Sequence, residues 1–250
     1  MSRLMVVIVV LLHRNLLAAD APLPPERVAR IQQNLRDSEA RHTEALAGKP
    51  DDQELYSQRG DARFFQGKFV EAIADYDKLV ELDPKLETSH WRRGIAYFYA
   101  GEFDKAARQF EIYHTFDNID RENGIWRYLS QVKSSGRDKA REGLLKYAKD
   151  DREPFPAVYK LFAGETTPQA ILDEIAAANI PKEDRAMRLF YAELYIGLNH
   201  VVENERDAAQ RHLAEAVKND WGRRAGYGPN FMWHVGRLQE ELLRNTAETR

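Results

Sequence analysis

Arg223 and Arg224 stand side by side in WGRRAGYGPN (residues 221–230), among three glycines. Two guanidinium groups beside glycine-freed backbone amides are the parts from which a chain builds a cradle for an anion or a peptide terminus. The plainer reading of the same stretch is an inter-helix connection with flexible glycines. Elsewhere the residues able to do chemistry do not gather. Of seven histidines, no pair falls at metal-ligand spacing beside a carboxylate, and HExxH is missing. His90, His114, His212 and His234 lie in stretches that read as helix, as satisfied or surface residues. The acidic pairs Asp51-Asp52 and Asp150-Asp151 follow helix ends and read as solvated loop residues. The motifs GxxxxGK[ST] and GxSxG are missing, and so is a dinucleotide fingerprint. Having no cysteine, the chain lacks disulfides, thiol catalysis and zinc–thiolate sites. We therefore expect no catalytic residues, no metal, no cofactor and no enzymatic activity.

The elements that must position these residues are helices. In 250 residues, 43% hydrophobic content supplies a core, and β-branched runs are scarce after the first ten positions. Basic and acidic residues number 37 and 40, a net charge of −3. Such a balance lacks the field that draws a protein to nucleic-acid phosphates, so nucleic acid is not an expected partner.

Sliding the chain along itself exposes a repeat. RGDARFFQGKFVEAIADY (59–76) and RGIAYFYAGEFDKAARQF (93–110) share seven identities in eighteen positions, all 34 residues apart. Gly60 and Gly94 would be notches where two antiparallel helices approach, with Ala72 and Ala106 facing them. Gly67 and Gly101 would end the first helix of each pair in a left-handed conformation that costs glycine little. Tyr76 and Phe110 would fill the space between neighbours, and Pro84 would stop the second helix.

The clear repeats are 53–86 and 87–120. Segments 121–152 and 186–220 read as degenerate ones, the second with a turn about four residues too long. Residues 26–47 form an amphipathic helix, a half-repeat or cap. A short helical pair follows residue 152, broken at Pro156 and Gly164, with Thr167-Pro168 opening its second member. A last helix is expected over about 230–245. Residues 1–21, with Arg3, nine apolar residues Leu4–Leu12 and a small-residue site near Ala19 and Ala21, read as a secretory signal peptide. An uncleaved membrane anchor and a misassigned start codon are the alternatives. Residues 22–250 form one helical domain on this reading, exported to the periplasm or the medium, with no stable membrane insertion once the signal is cleaved.

A 34-residue helix–turn–helix with this residue order resembles the tetratricopeptide repeat. The resemblance implies an all-α fold, a right-handed superhelix of antiparallel helix pairs. RRGIAYFYAGEFDKAARQF, WRYLSQVK, VYKLFAGETTPQAILDEI and FYAELYIGL…AAQRHLAEAV occur in the order seen in the NlpI type of bacterial tetratricopeptide lipoprotein. That type implies an exported, often dimeric adaptor that docks envelope proteases and peptidoglycan hydrolases. Its lipobox cysteine is missing here, which excludes lipid anchoring.

Tetratricopeptide folds line their concave face from the first helix of each repeat. Those positions here include Phe64, Phe65, Trp91, Ile95, Phe98 and Tyr99. One reading is a groove that takes a protein partner's helix or extended segment. The other is a structural or oligomerisation module, its groove filled by the chain's own C-terminal helices or by a second subunit, as in a homodimer. The lysines and asparagines of carboxylate-clamping repeats are absent: Ser57, Asp61, Phe65, Trp91, Ile95 and Tyr99 stand at those positions.

Overall fold

The computed structural model describes residues 22–248, with side chains to residue 246. The expected signal peptide lies outside the described residues. Those described form helices and turns, without a strand. None of the helices is long and apolar enough to cross a membrane. In chain order they are α1 (Pro25–Gly48), α2 (Gln53–Phe65), α3 (Phe69–Leu82), α4 (Trp91–Tyr99), α5 (Phe103–Phe116), α6 (Arg121–Ser135), α7 (Arg137–Glu142), α8 (Phe155–Ala163), α9 (Pro168–Ala177), α10 (Lys182–Val202), α11 (Arg206–Lys218), α12 (Asp220–Arg224) and α13 (Tyr227–Glu248). The helices pack in adjacent pairs, the arrangement of a tetratricopeptide-like helical repeat.

Three hairpins, α2/α3, α4/α5 and α10/α11, share one register. A Cβ on Gly60 would lie 2.6 Å from the Tyr76 ring, on Gly94 2.7 Å from the Phe110 ring, and on Gly197 2.8 Å from Leu213. Each glycine is a notch whose filler comes sixteen residues later. Ala72, Ala106 and Ala209 are fully buried beside them. The three turns close alike. Gly67 N–H donates to Phe64 O and Lys68 N–H to Arg63 O; Gly101 and Glu102 repeat this onto Phe98 and Tyr97, and Asn204 and Glu205 onto Val201 and His200. Gly67 and Gly101 sit at φ 80 and Asn204 at φ 62. The expected long turn in 186–220 is therefore corrected. Its turn has ordinary length, the repeat frame starts four residues later, and asparagine, which tolerates left-handed backbone, takes the glycine's place.

A polar latch recurs in the first two hairpins. Arg59 donates to Asp75 and Arg93 to Gln109, again sixteen residues apart. Asp75, 2% exposed, also accepts from Arg63 at 3.0 Å. Arg63 and Lys68 in turn reach Glu39 of α1, which fastens the N-terminal helix to the first repeat.

The 121–152 repeat departs from expectation. Its second helix, α7, stops at Glu142. Tyr128 occupies the notch position and meets Phe162 of α8 edge-on at 5.2 Å. The short α7 still packs on α6, burying Ala140, and α8 adds the packing against the Tyr128 ring. Pro156 does not break α8 but sits in its first turn, where a missing N–H costs nothing. Gly164 ends α8 at φ 80, and the Thr167 hydroxyl caps α9, accepting from Ala170 N–H at 3.2 Å.

Candidate functional site

The expected aromatic strip is largely closed. Phe64, Phe65, Ile95 and Phe98 are 0%, 6%, 1% and 7% exposed. Phe231 of α13 stacks on Phe64 at 5.6 Å, lies 4.7 Å from Phe65 and meets Trp91 edge-on at 4.8 Å. Phe98 and Tyr99 pack against Trp126 of the next repeat at 5.5 and 6.4 Å. An open groove over these residues is thus corrected: the chain's own C-terminal helix fills its first part. α13 is held there by Tyr227, which donates to Asp61 at 2.5 Å, and by Arg237, which donates to the Phe65 carbonyl at 3.1 Å. Trp233 Nε1 adds a bond to Val217 O at 3.0 Å.

The 221–230 segment is not a loop either. Helix α12 and the start of α13 take all of it except Ala225 and Gly226. Gly222 is buried against the Phe190 ring, where a Cβ would lie 2.6 Å away. Arg223 and Arg224 both turn onto Asp220, at 2.5 and 3.1 Å, and Arg224 also stands 3.7 Å from Glu183. No cradle is formed between them.

Trp91 alone of the expected residues reaches a concave, aromatic-lined cavity of about 440 Å³. α5 contributes Phe110 and Tyr113 to its wall, α6 contributes Trp126, α10 contributes Met187 and Tyr191, α12 contributes Trp221, and α13 contributes Met232. Three of the four tryptophans line it.

Its polar side is the start of α6. Asp120 caps that helix, accepting from Glu122 N–H at 3.0 Å, and Glu122 accepts from the Tyr195 hydroxyl. Arg152, from the segment between α7 and α8, pairs with Glu122, with Asp151 at 3.2 Å and with Asp120 at 3.7 Å. Its guanidinium lies 4.3 Å over the Phe155 ring and 5.6 Å from Tyr191. Burial and the neighbouring Glu122 charge push the Asp120 carboxyl up to about 7, against the opposing pull of Arg152. Burial also raises Glu122. Tyr113 is pushed up to about 12 by burial and then by Asp120, Asp117 and Glu122. Asn123, 2% exposed, lines the same wall, and neither atom of its amide has a partner. Leaving a buried amide unpaired costs about 1–3 kcal/mol. No group of three or more potential metal ligands occurs among the described residues.

A family model described as a TPR repeat matches residues 60–101, from the notch glycine of the first repeat to the turn glycine of the second. The match supports the tetratricopeptide-repeat family. Such repeats generally mediate protein–protein interactions, which supports an interaction scaffold here. The tetratricopeptide hairpins bring Trp91, Phe110 and Tyr113 to the cavity, while the polar wall comes from the departing third repeat.

Asp120, Glu122, Asn123, Arg152, Tyr191 and Trp221 were not expected at a site. Asp151 was expected to be solvated. Its side chain is 7% exposed and accepts from Arg121 N–H and from Arg152, whereas Asp150 is open to solvent. The available signal was the run IDREN at 119–123, an acidic helix start in which a lone asparagine follows two carboxylates.

Proposed function

We propose that this chain is a non-enzymatic scaffold of the cell envelope that binds a segment of a protein partner in the aromatic cavity. The unpaired Asn123 amide carries the reading: on the polar wall of a cavity otherwise lined mainly by aromatic rings it offers N–H donors and a carbonyl acceptor, both of which a peptide bond can answer. A volume of about 440 Å³ suits a few side chains of an extended segment rather than a whole helix. Beside the cavity, Phe116 is 63% exposed and packs edge-on against Tyr113 at 5.6 Å, an apolar lip on which such a segment continues. Export through residues 1–21 and the NlpI-type resemblance favour an envelope protease or peptidoglycan hydrolase as partner.

In-cell photo-crosslinking tests this. A benzophenone side chain placed at Tyr113 should capture a protein, one placed at Val70 on α3 should not, and Asn123→Ala should reduce the capture. Equal capture at both positions, or capture indifferent to Asn123→Ala, overturns the site. Crosslinks only between copies of the chain would favour the oligomerisation module. Sequencing the N-terminus of the recovered protein checks cleavage after residue 21.

A further inference from the structure

The charge of the cavity wall narrows what the segment carries. Two carboxyls, Asp120 and Glu122, and one guanidinium, Arg152, line the cavity. Arg152 sits at the rim, its side chain 44% exposed, and is already engaged by Glu122, Asp151 and Asp120. Asp117 and Asp151 add negative charge behind the wall, raising Tyr113 and Asp120 respectively. An anionic ligand would face this surplus with no free cation among the lining residues. A neutral ligand would leave one carboxyl without a full counter-charge in a partly desolvated space. The same cavity is lined by Trp91, Trp126 and Trp221, whose ring faces are electron-rich.

We propose, building on the docking reading above, that the cavity takes a lysine or arginine side chain of the partner segment, with Asp120 and Glu122 as counter-charges and the three tryptophans as aromatic walls. The Asn123 amide then meets the peptide backbone beside that side chain. Apolar neighbours of the cation lie on Phe116 and Ile119, which are 63% and 38% exposed. Entry of a cation supplies the charge that Asp120 lacks, so its carboxyl ionises fully in the complex.

Tryptophan fluorescence of the purified protein tests this with three blocked tripeptides: Ac-Leu-Arg-Leu-NH2, its citrulline isostere, and Ac-Leu-Glu-Leu-NH2. Citrulline keeps the shape of arginine, exchanges one amino group for a carbonyl oxygen and removes the charge. The arginine peptide should give a saturable change with at least tenfold higher affinity than citrulline, and the glutamate peptide none. Asp120→Asn with Glu122→Gln should abolish that tenfold preference, and a preference that survives the double change overturns the assignment; asparagine caps a helix as aspartate does. Should the double variant fail to melt cooperatively, the arginine–citrulline comparison on the unaltered protein decides alone. Citrulline or glutamate binding as tightly as arginine overturns the cationic assignment; if that binding still weakens in Asn123→Ala, the docking site stands. No response to any peptide overturns both.

Discussion

Arg237 of α13 donates to the main-chain carbonyl of Phe65 at 3.1 Å, across 172 residues of chain. Its guanidinium is 1% exposed and also bonds Glu241 at 2.7 Å. This contact joins the last helix to the first repeat, and Phe231 beside it covers the aromatic strip. The closing helix contributes Met232 to the wall of the cavity and leaves that cavity open.

Removing the covering ring should loosen the whole array. Phe231→Ala deletes contacts to Phe64, Phe65 and Trp91 at a site 1% exposed. Urea unfolding should show a loss of about 3–5 kcal/mol, the cost of emptying a buried phenylalanine site.

Tyr227→Phe isolates a single tie of the same helix, the hydroxyl bond to Asp61. Asp61 keeps Arg92 and Tyr76, each at 2.7 Å. The expected cost is small, about 1 kcal/mol. Hydrogen exchange should rise at the start of α13 and stay unchanged in α3.

Gly94→Ala sets two effects of opposite sign against each other. Alanine improves helix propensity by roughly 1 kcal/mol. Its Cβ would lie 2.7 Å from the Phe110 ring, which is 1% exposed and cannot yield without displacing Trp126, stacked on it at 6.2 Å. Overpacking costs about 1–3 kcal/mol, so the variant should be less stable on chemical denaturation despite the better propensity.

Stability should fall towards both ends of the pH scale for identifiable reasons. Burial, and then Arg92 and Arg93, depress His90 to about 3; burial and Arg237 do the same to His234. A base whose folded value is lowered stabilises the protein above its ordinary value, near 6.5, and that contribution is lost as pH falls from there towards 3. His90 caps α4 through Nδ1, a role asparagine can fill, so His90→Asn should flatten the acid limb. Asp120 acts in the other direction. Its raised carboxyl favours the folded state below about 4, and that gain is lost as pH rises through 7. Relative to the unaltered protein, Asp120→Asn should be more stable at pH 8 than at pH 4, as thermal melts at the two values would show.

How much of this was legible in the residues differs from element to element. Gly60 and Gly94 were legible as notches because each lies within one hairpin. Their fillers were not: Ala72 and Ala106 were expected to face them and Tyr76 and Phe110 to fill the space between neighbouring repeats, whereas those two rings fill the notches. Gly197 with Leu213 follows the same rule but was read four residues out of frame, since Asn204 stands where the glycine marker should be. Tyr128 announced that the third repeat departs, though not that its second helix would stop at Glu142 and α8 would pack on the Tyr128 ring. Arg223 and Arg224 misled because adjacency in sequence says nothing of Asp220, which holds both one helical turn away.

By itself the sequence determined the repeating unit: two helices, a left-handed turn and a notch glycine, all set by contacts within 34 residues. It also determined which helix faces are apolar, because periodicity reports that directly. What covers those faces was decided only in the tertiary structure. Phe231 closes over Phe64 and Phe65, while Trp91, Trp126, Arg152, Tyr191 and Trp221 converge from five separate segments. An apolar stripe is indifferent to which partner removes it from water, and the choice falls to the path of the whole chain.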